Sequence, residues 1–245
     1  RKETLLDLCR FSTNENDEIM SLSSYLDKMP ENQKEIYYIS AETRSQALAS
    51  PHLEGFKSKN IPVLIMTDAI DQFWLPMIGS FKDKKFTSIT QGQINLDDLD
   101  EKNKDKKSEN KDQKEKQDKE FVDLIAQMKV VLGEQVKDIR LSSKLTDSPV
   151  CLVADDGDMD IAMEQLMAQR DTNYKGAPRI LEINGDHSLI KNMKSLLSKK
   201  ENNDLVSDAG TLLFEQARLL EGKMPADPAQ FSKIMNQFLI KAIPE

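Results

Sequence analysis

Few residues in this chain combine a reactive side chain with a spacing that supports catalysis. Its two histidines, His52 and His187, stand far apart, and neither is accompanied by a nucleophile in a recognisable local signature. His187 follows Asn184-Gly185-Asp186 at a predicted helix start, which favours a capping or packing role over catalysis. The two cysteines, Cys9 and Cys151, suggest neither a zinc site nor a disulfide framework, and we expect buried thiols that form no disulfide.

A group of aspartates, Asp155, Asp156, Asp158 and Asp160, precedes a predicted helix and loosely resembles a calcium loop. It lacks the bidentate glutamate at the twelfth position, so we interpret the carboxylates as partners of the helix N-terminus. The chain has no glycine-rich loop of a phosphate-binding kind, and only nine glycines in 245 residues. The sequence therefore predicts no catalytic residue, no metal site and no cofactor in this chain.

Composition narrows the possible functions further. The net charge of −8 argues against a nucleic-acid partner, because phosphate binding needs clustered basic residues in excess. No run of about 18 apolar residues is present, so we expect no membrane partner. The chain starts at Arg1 in what resembles the middle of a helix, which predicts a fragment of a longer protein.

Strand and helix patterns alternate before residue 97. In order they are the strand Glu35–Ser40, the helix Ala41–Asn60, the strand Ile61–Met66, the helix Asp71–Phe81 and the strand Lys85–Thr90. Such alternation predicts parallel strands joined by right-handed crossovers. We therefore expect residues 1–97 to form a small α/β/α module with a short parallel sheet.

A run of charge separates this module from the rest of the chain. Residues 100–120 contain eight lysines, eight acidic residues and no apolar side chain. Acid-to-lysine pairs four residues apart, such as Glu115 and Lys119, favour a helix that continues past Phe121. We interpret residues 98–118 as a solvated linker and helix start, mobile in its earlier part; a charge-recognising partner site is the alternative.

The residues after 119 predict a three-stranded α+β module that ends in a helical hairpin. The expected strands are Asp138–Ser142, Pro149–Ala154 and Arg179–Ile183, and the expected helices are Asp158–Gln169, His187–Ser198, Asp204–Glu221 and Asp227–Ile243. The last helix opens with Asp227-Pro228, an N-cap followed by proline in the first turn. The predicted fold class is thus α/β followed by α+β.

One predicted helix carries an apolar stripe rich in methionine. Met159, Met163, Leu166 and Met167 fall at i, i+4, i+7 and i+8. Such a stripe is usually core, yet flexible methionine side chains also suit a surface that repacks against varied partners. Both interpretations stay open from the residues alone.

The two terminal helices are apolar over more than one face. The candidate dimerisation residues are Leu205, Leu212, Leu213, Leu220, Phe231, Ile234, Met235, Phe238 and Leu239. The hairpin could bury its second face against its own domain or against a copy of itself. A two-fold dimeric four-helix bundle fits the pattern.

Three segments resemble the heat-shock protein 90 chaperones. Glu31–Ile39 is similar to the family's ENQKxIYYI segment, and Leu145–Cys151 is similar to its LxxSPC strand. Leu181–His187 resembles its LEINPDH segment, with Gly185 in place of the usual proline. The matches occur in the family's order across nearly the whole chain, which we therefore identify as a member of this family.

The resemblance implies which parts of the full-length protein this chain contains. Residues 1–97 correspond to the distal part of the middle segment, and residues 119–245 to the C-terminal dimerisation domain. The ATP-binding domain and the catalytic arginine of the family precede Arg1. We therefore expect this chain not to be an enzyme, with ATP and Mg belonging to the full-length protein only.

The resemblance also suggests client-binding residues. The helix with Met159, Met163, Leu166 and Met167 falls where the family has an exposed amphipathic helix that contacts client proteins. Phe73 and Trp74 fall where the family has an aromatic implicated in client contact, although they could simply cover their own helix. We expect a homodimer that binds non-native clients; a passive homo-oligomerisation module is the alternative.

The C-terminus departs from cytosolic eukaryotic members of the family. The chain ends Ala242–Glu245, without the acidic pentapeptide that recruits tetratricopeptide-repeat cochaperones. We therefore expect no such cochaperone, and a location in the bacterial cytoplasm, with an organelle as the alternative. A trimmed C-terminus would look the same.

Overall fold

The computed structural model describes residues 2–99, 107–171, 176–197 and 203–243. The described residues pack as two compact units. The first unit comprises Arg1–Lys107, Ser143–Thr146 and Val153–Ala177, and the second unit comprises Ser108–Ser142, Asp147–Leu152 and Pro178–Glu245. This grouping follows packing, so the linear domain boundaries at residues 97 and 119 stay a prediction.

The regular elements alternate along the chain. The strands are β1 Ser12–Thr13, β2 Glu35–Ser40, β3 Leu64–Met66, β4 Ser80–Phe81, β5 Lys84–Ser88, β6 Val136–Leu141, β7 Val150–Val153 and β8 Arg179–Ile183. The α-helices are α1 Lys2–Leu8, α2 Leu22–Lys28, α3 Arg44–Leu48, α4 Glu54–Ser58, α5 Asp71–Ile78, α6 Lys107–Leu132, α7 Ile161–Arg170, α8 Ser188–Leu197, α9 Asn203–Leu220 and α10 Pro228–Ala242. Among these described helices, none is long and apolar enough to cross a lipid bilayer.

The first unit is built on a five-stranded sheet of order β1-β3-β2-β5-β4. The three strands predicted from the sequence are its centre, and β2 runs parallel to both β3 and β5. Short antiparallel strands, β1 and β4, close the two edges. The parallel arrangement agrees with the strand–helix alternation of the sequence.

Strand β2 explains why this stretch of sequence is almost wholly apolar. Ile36 and Tyr38 belong to one hydrophobic cluster, whereas Tyr37 and Ile39 belong to another. Since successive side chains of a strand point to opposite faces, both faces of β2 are buried. The first unit therefore has a core on each side of its sheet.

Two helix predictions in the first unit are wrong in extent. The single helix expected over Ala41–Asn60 is interrupted by Ser50, whose extended backbone (φ −70°, ψ 132°) is the conformation that a following proline favours. Pro51 then starts a separate 3₁₀ turn before α4. Helix α5 ends at Ile78 instead of residue 81, because Gly79 takes a left-handed φ of 74° and closes it.

The second unit has a three-stranded sheet of order β6-β8-β7, in which β6 and β8 are parallel. Its hydrophobic cluster joins β6, β7 and β8 to residues of α6, α8, α9 and α10. Helix α6 starts at Lys107, so the later part of the charged run is helical, as predicted. Its earlier part, residues 100–106, lies outside the described residues.

One buried carboxylate of the second unit, that of Glu182, is paired across the parallel strands. The Glu182 carboxylate accepts hydrogen bonds from Arg140 Nη2 at 2.8 Å and from Ser142 Oγ at 2.9 Å. Pairing of this kind offsets the cost of removing the carboxylate from water. Neither cysteine forms a disulfide, as predicted. Cys151 is buried as expected, whereas the prediction of a buried thiol is wrong for Cys9, which is exposed.

Candidate functional surfaces

Asp160 fixes the start of the methionine-rich helix α7. Its Oδ1 accepts a hydrogen bond from the backbone N–H of Ala162 at 3.0 Å, as an N-cap residue does. Its Oδ2 accepts a second hydrogen bond, from Thr90 Oγ1 at 2.9 Å. Thr90 lies just beyond β5, so this one carboxylate ties the first turn of α7 to the sheet of the first unit.

The aspartate-rich loop before α7 is held by one side-chain amide. Gln91 Nε2 donates to the backbone carbonyls of Asp155 and Asp156 at 3.3 Å each, and to that of Asp158 at 2.8 Å. No group of carboxylate, histidine or cysteine side chains suited to a metal ion occurs in the described part of the chain. The loop thus serves as an anchor for α7.

A buried glutamate holds the segment that follows α7. Glu164 is only 3% exposed, and its Oε2 accepts a hydrogen bond from the backbone N–H of Ala177 at 3.2 Å. Gly176 has a left-handed φ of 69°, and a Cβ at this position would lie 2.5 Å from Glu164 Oε1. Glycine is therefore needed both for its backbone conformation and for this close approach.

Helix α7 does not bury its methionine stripe. The residues buried on it are Ile161 and Glu164. Met163, Leu166 and Met167 are half-buried, and Met159, just before the helix, is 40% exposed. A helix fixed at both ends thus leaves a flexible apolar stripe partly accessible to solvent.

The two aromatic candidates on α5 have different surroundings. Trp74 packs edge-on against Phe86, with ring centroids 5.7 Å apart, and also contacts Phe11 at 6.2 Å. Phe73 is half-buried and belongs to no hydrophobic cluster of the described residues. Trp74 therefore contributes to the packing of the first unit, and the client-binding role of both residues stays a prediction.

The turn of the C-terminal hairpin is fixed by charged side chains. The buried Glu215 of α9 accepts hydrogen bonds from the backbone N–H of Ala226 at 3.1 and 3.2 Å. Arg218 Nη2 donates to the carbonyl of Met224 at 3.0 Å. Asp227 caps α10 by accepting from the N–H of Gln230 at 2.9 Å, as the Asp-Pro pair predicts.

The predicted dimerisation residues fall into three groups. The buried ones are Leu213 and Ile234, the half-buried ones are Leu205, Leu212, Phe231 and Phe238, and the exposed ones are Leu220, Met235 and Leu239. The apolar residues Leu219, Ile240 and Ile243, which flank this set on the two helices, are also exposed. Leu213 and Ile234 belong to the core of the second unit, whereas the exposed group lies on its surface.

The anchoring residues of α7 were not found from the sequence as a set. The N-cap position of Asp160 carries a local signal, a short polar side chain directly before an apolar-periodic segment. Thr90 and Gln91 carry none, because they meet the loop only after the chain folds back over 64 to 70 residues.

Comparison with known proteins places the chain among the heat-shock chaperones. The family model described as Hsp90 protein matches residues 1–244. The chain therefore belongs to the Hsp90 family, and the resemblance identified in its sequence is confirmed at this level.

The relatives are bacterial proteins named chaperone protein HtpG. That of Roseobacter denitrificans is 39% identical over 99% of this chain and 39% of its own length. The protein of Wolbachia pipientis wMel is 36% identical over 98% of this chain and 37% of its own length. The protein of Mycobacterium avium is 37% identical over 99% of this chain and 37% of its own length. The chain thus spans about two fifths of the relatives' length.

Proposed function

We propose that this chain is the distal middle segment and the C-terminal dimerisation domain of an HtpG-type chaperone. In this role it joins two copies into a homodimer and offers an apolar surface to non-native client proteins. The observation that carries the proposal is the outer face of α10, where Met235, Leu239 and Ile240 are 40%, 49% and 74% exposed. Three large apolar residues within two turns of one helix are typical of an interface.

The packing of α10 supports association through this face. Ile234 is only 4% exposed, and Phe238, one turn later, packs against the hydrophobic cluster of the second unit. Met235 and Leu239 form the adjacent stripe, which the described residues cover only in part. A two-fold copy of α9 and α10 would cover it in a four-helix bundle, and a stable dimer buries roughly 1,000 Å² or more in total.

Client binding is proposed for the stripe of α7 together with Phe73 of α5. The thioether side chains of Met159, Met163 and Met167 adapt their shape to different apolar partners at little cost. Their half-exposed positions on an anchored helix support contact with sequences that have no fixed structure.

We further propose that ATP turnover, with its ATP and Mg, resides in the part of the relatives that this chain does not span. The segment itself then takes no cofactor and performs no catalysis. Joining two copies keeps their ATP-hydrolysing parts at a high effective concentration relative to each other, so that these parts can close as a clamp. The bacterial relatives favour a location in the bacterial cytoplasm.

Sedimentation equilibrium over a wide concentration range tests the dimer. We expect the wild-type chain to be a dimer and the double variant Met235→Asp, Leu239→Asp to be a folded monomer. The matched control is Met77→Asp, since Met77 is 82% exposed on α5 of the first unit. The control is expected to remain dimeric, and a wild-type chain that is monomeric throughout would contradict the proposal.

Suppression of aggregation of a heat-denatured protein tests client binding. We expect Met163→Asp with Met167→Asp to remove most of the suppression while the chain stays folded and dimeric. Unchanged suppression would favour the alternative, a passive oligomerisation module. If the aspartate variant unfolds, the milder pair Met163→Gln and Met167→Gln separates loss of binding from loss of packing.

A further inference from the structure

The first unit contains a cavity of about 340 Å³, beside α7 and the ends of two sheet strands. All the residues that line it belong to the first unit. Met66, the last residue of β3, and Leu166 of α7 supply apolar surface. Volumes of roughly 300–1,000 Å³ are typical of ligand pockets, so the cavity is large enough for one long side chain.

The topology of the sheet explains why the cavity lies here. Strands β2 and β3 are parallel, with Ser40 opposite Met66, and therefore end at the same edge. The backbone N–H of Ala41 donates to the carbonyl of Met66 at 3.1 Å, which holds the two strand ends together. In open α/β sheets, ligands bind in the crevice beyond the carboxyl ends of the strands.

The polar lining of the cavity favours a cation. Glu42 and Asp68 contribute two carboxylates, while Gln72, Gln165 and Gln169 contribute amides. The lining includes no lysine, arginine or histidine among the described residues. Within the described part of the chain, Glu42 Oε1 accepts a weak, 3.4 Å hydrogen bond from Gln169 Nε2, and this neutral donor does not balance the charge of the carboxylate.

Among cationic side chains, arginine matches the cavity best. Its planar guanidinium offers several donors in a fixed fork that suits carboxylates, and its aliphatic stem suits an apolar wall such as Leu166. Leu166 belongs both to the cavity wall and to the stripe of α7. A chain segment lying on the stripe therefore reaches the cavity with a neighbouring side chain.

We propose that this cavity takes an arginine side chain of a bound non-native polypeptide whose apolar neighbours lie on the stripe of α7. The inference deepens the proposed client-binding function and rests on it. Clients would then be selected for a basic residue within an apolar segment, and not for apolar character alone.

Binding of two fluorescent peptides to the full chain tests this inference. One is a short apolar peptide with a single central arginine, and the other replaces that arginine by citrulline, which has nearly the same shape and no charge. We expect the arginine peptide to bind at least about tenfold more tightly, the size of one charge-assisted interaction. The double variant Glu42→Gln, Asp68→Asn is expected to bind both peptides equally.

The matched control is the double variant Glu18→Gln, Glu31→Gln, which removes the same charge from exposed positions of the first unit that do not line the cavity. It should keep the preference for arginine. Equal binding of both peptides by the wild-type chain, or an undiminished preference in the Glu42→Gln, Asp68→Asn variant, overturns the cavity assignment but leaves client binding standing. Failure to bind either peptide, together with no suppression of aggregation, removes both proposals.

Discussion

The indole Nε1–H of Trp74 donates a hydrogen bond of 2.7 Å to Oδ1 of Asp71, three residues earlier on α5. Burial raises the pKa of the Asp71 carboxyl, although the hydrogen bonds from Trp74 and from the backbone N–H of Asp68 act in the opposite direction. Trp74 is the only tryptophan of the chain, so its fluorescence reports on this pair.

The raised pKa of Asp71 predicts how stability depends on pH. The folded state holds this proton more tightly than the unfolded state, so the contribution of Asp71 to the free energy of unfolding falls as pH rises through the raised pKa. The affected window starts near pH 4, the ordinary range of the carboxyl, and extends upward to the raised pKa. We expect Asp71→Asn to remove this component of the pH dependence.

Urea unfolding followed by Trp74 fluorescence at a series of pH values measures the effect. The comparison is with Asp83→Asn, a change at an exposed carboxylate of the same unit. Asp83 has a φ of 63°, a conformation that asparagine tolerates well, so the control adds little backbone strain. An identical pH profile for wild type and Asp71→Asn would show that the buried carboxyl does not titrate in this window.

Loss of the Asp160 cap should loosen α7 selectively. Asp160→Ala removes both the N-cap hydrogen bond to Ala162 and the hydrogen bond from Thr90, at a cost of about 1–2 kcal/mol. We expect faster amide hydrogen exchange along α7 together with weaker suppression of aggregation. Asp227→Ala, which removes the equivalent cap of α10, is the control and should leave exchange in α7 unchanged.

Gly176 is expected to tolerate substitution far less than another left-handed glycine. Gly79 has a similar φ, 74°, but a Cβ there would meet nothing within 4 Å. Gly79→Ala therefore measures the backbone cost alone, about 1–2 kcal/mol, whereas Gly176→Ala adds a clash with the Glu164 carboxylate. Equal losses of unfolding free energy in urea would mean that the chain near Gly176 shifts without disturbing Glu164.

Local sequence patterns predict several elements of this fold correctly. The β-branched and aromatic residues of the segment Glu35–Ser40 predict β2 with its observed bounds, because such side chains favour strands. The Asp227-Pro228 pair marks the start of α10 for an equally local reason. The break at Pro51 is also local, and the helical pattern around it obscured the signal.

Other features depend on residues that meet only after folding. The exposed side of α7 is set by Asp160, Glu164 and their distant partners, so its periodicity could not decide between core and surface. Trp74 and Phe73 are neighbouring aromatic residues that the sequence alone does not distinguish, yet Trp74 is the one whose ring packs against Phe86. The cavity beside Leu166 likewise depends on the parallel pairing of β2 and β3, which brings Ala41 and Met66 together.

Substitutions on the two sides of helix α10 distinguish an effect on folding from an effect on association. Ile234 is buried, with 4% of its surface exposed, so Ile234→Ala should lower the free energy of unfolding by about 2–5 kcal/mol at any protein concentration. Ile240 is exposed in the single chain, so Ile240→Ala should cost less than about 0.5 kcal/mol in the monomer. In a dimer that buries the outer face, the same change weakens association and lowers stability only where dimers are populated.

Urea unfolding of both variants, at protein concentrations below and above the dimer dissociation constant, distinguishes these effects. The expected result is a concentration-dependent loss of unfolding free energy for Ile240→Ala and a constant loss for Ile234→Ala. It would show that one side of α10 stabilises the dimer and the other side stabilises the single chain. A large loss for Ile240→Ala in the monomeric range would instead mean that the outer face packs within the same chain. The apolar face of α10 would then need no second copy, since its burial would already stabilise the second unit.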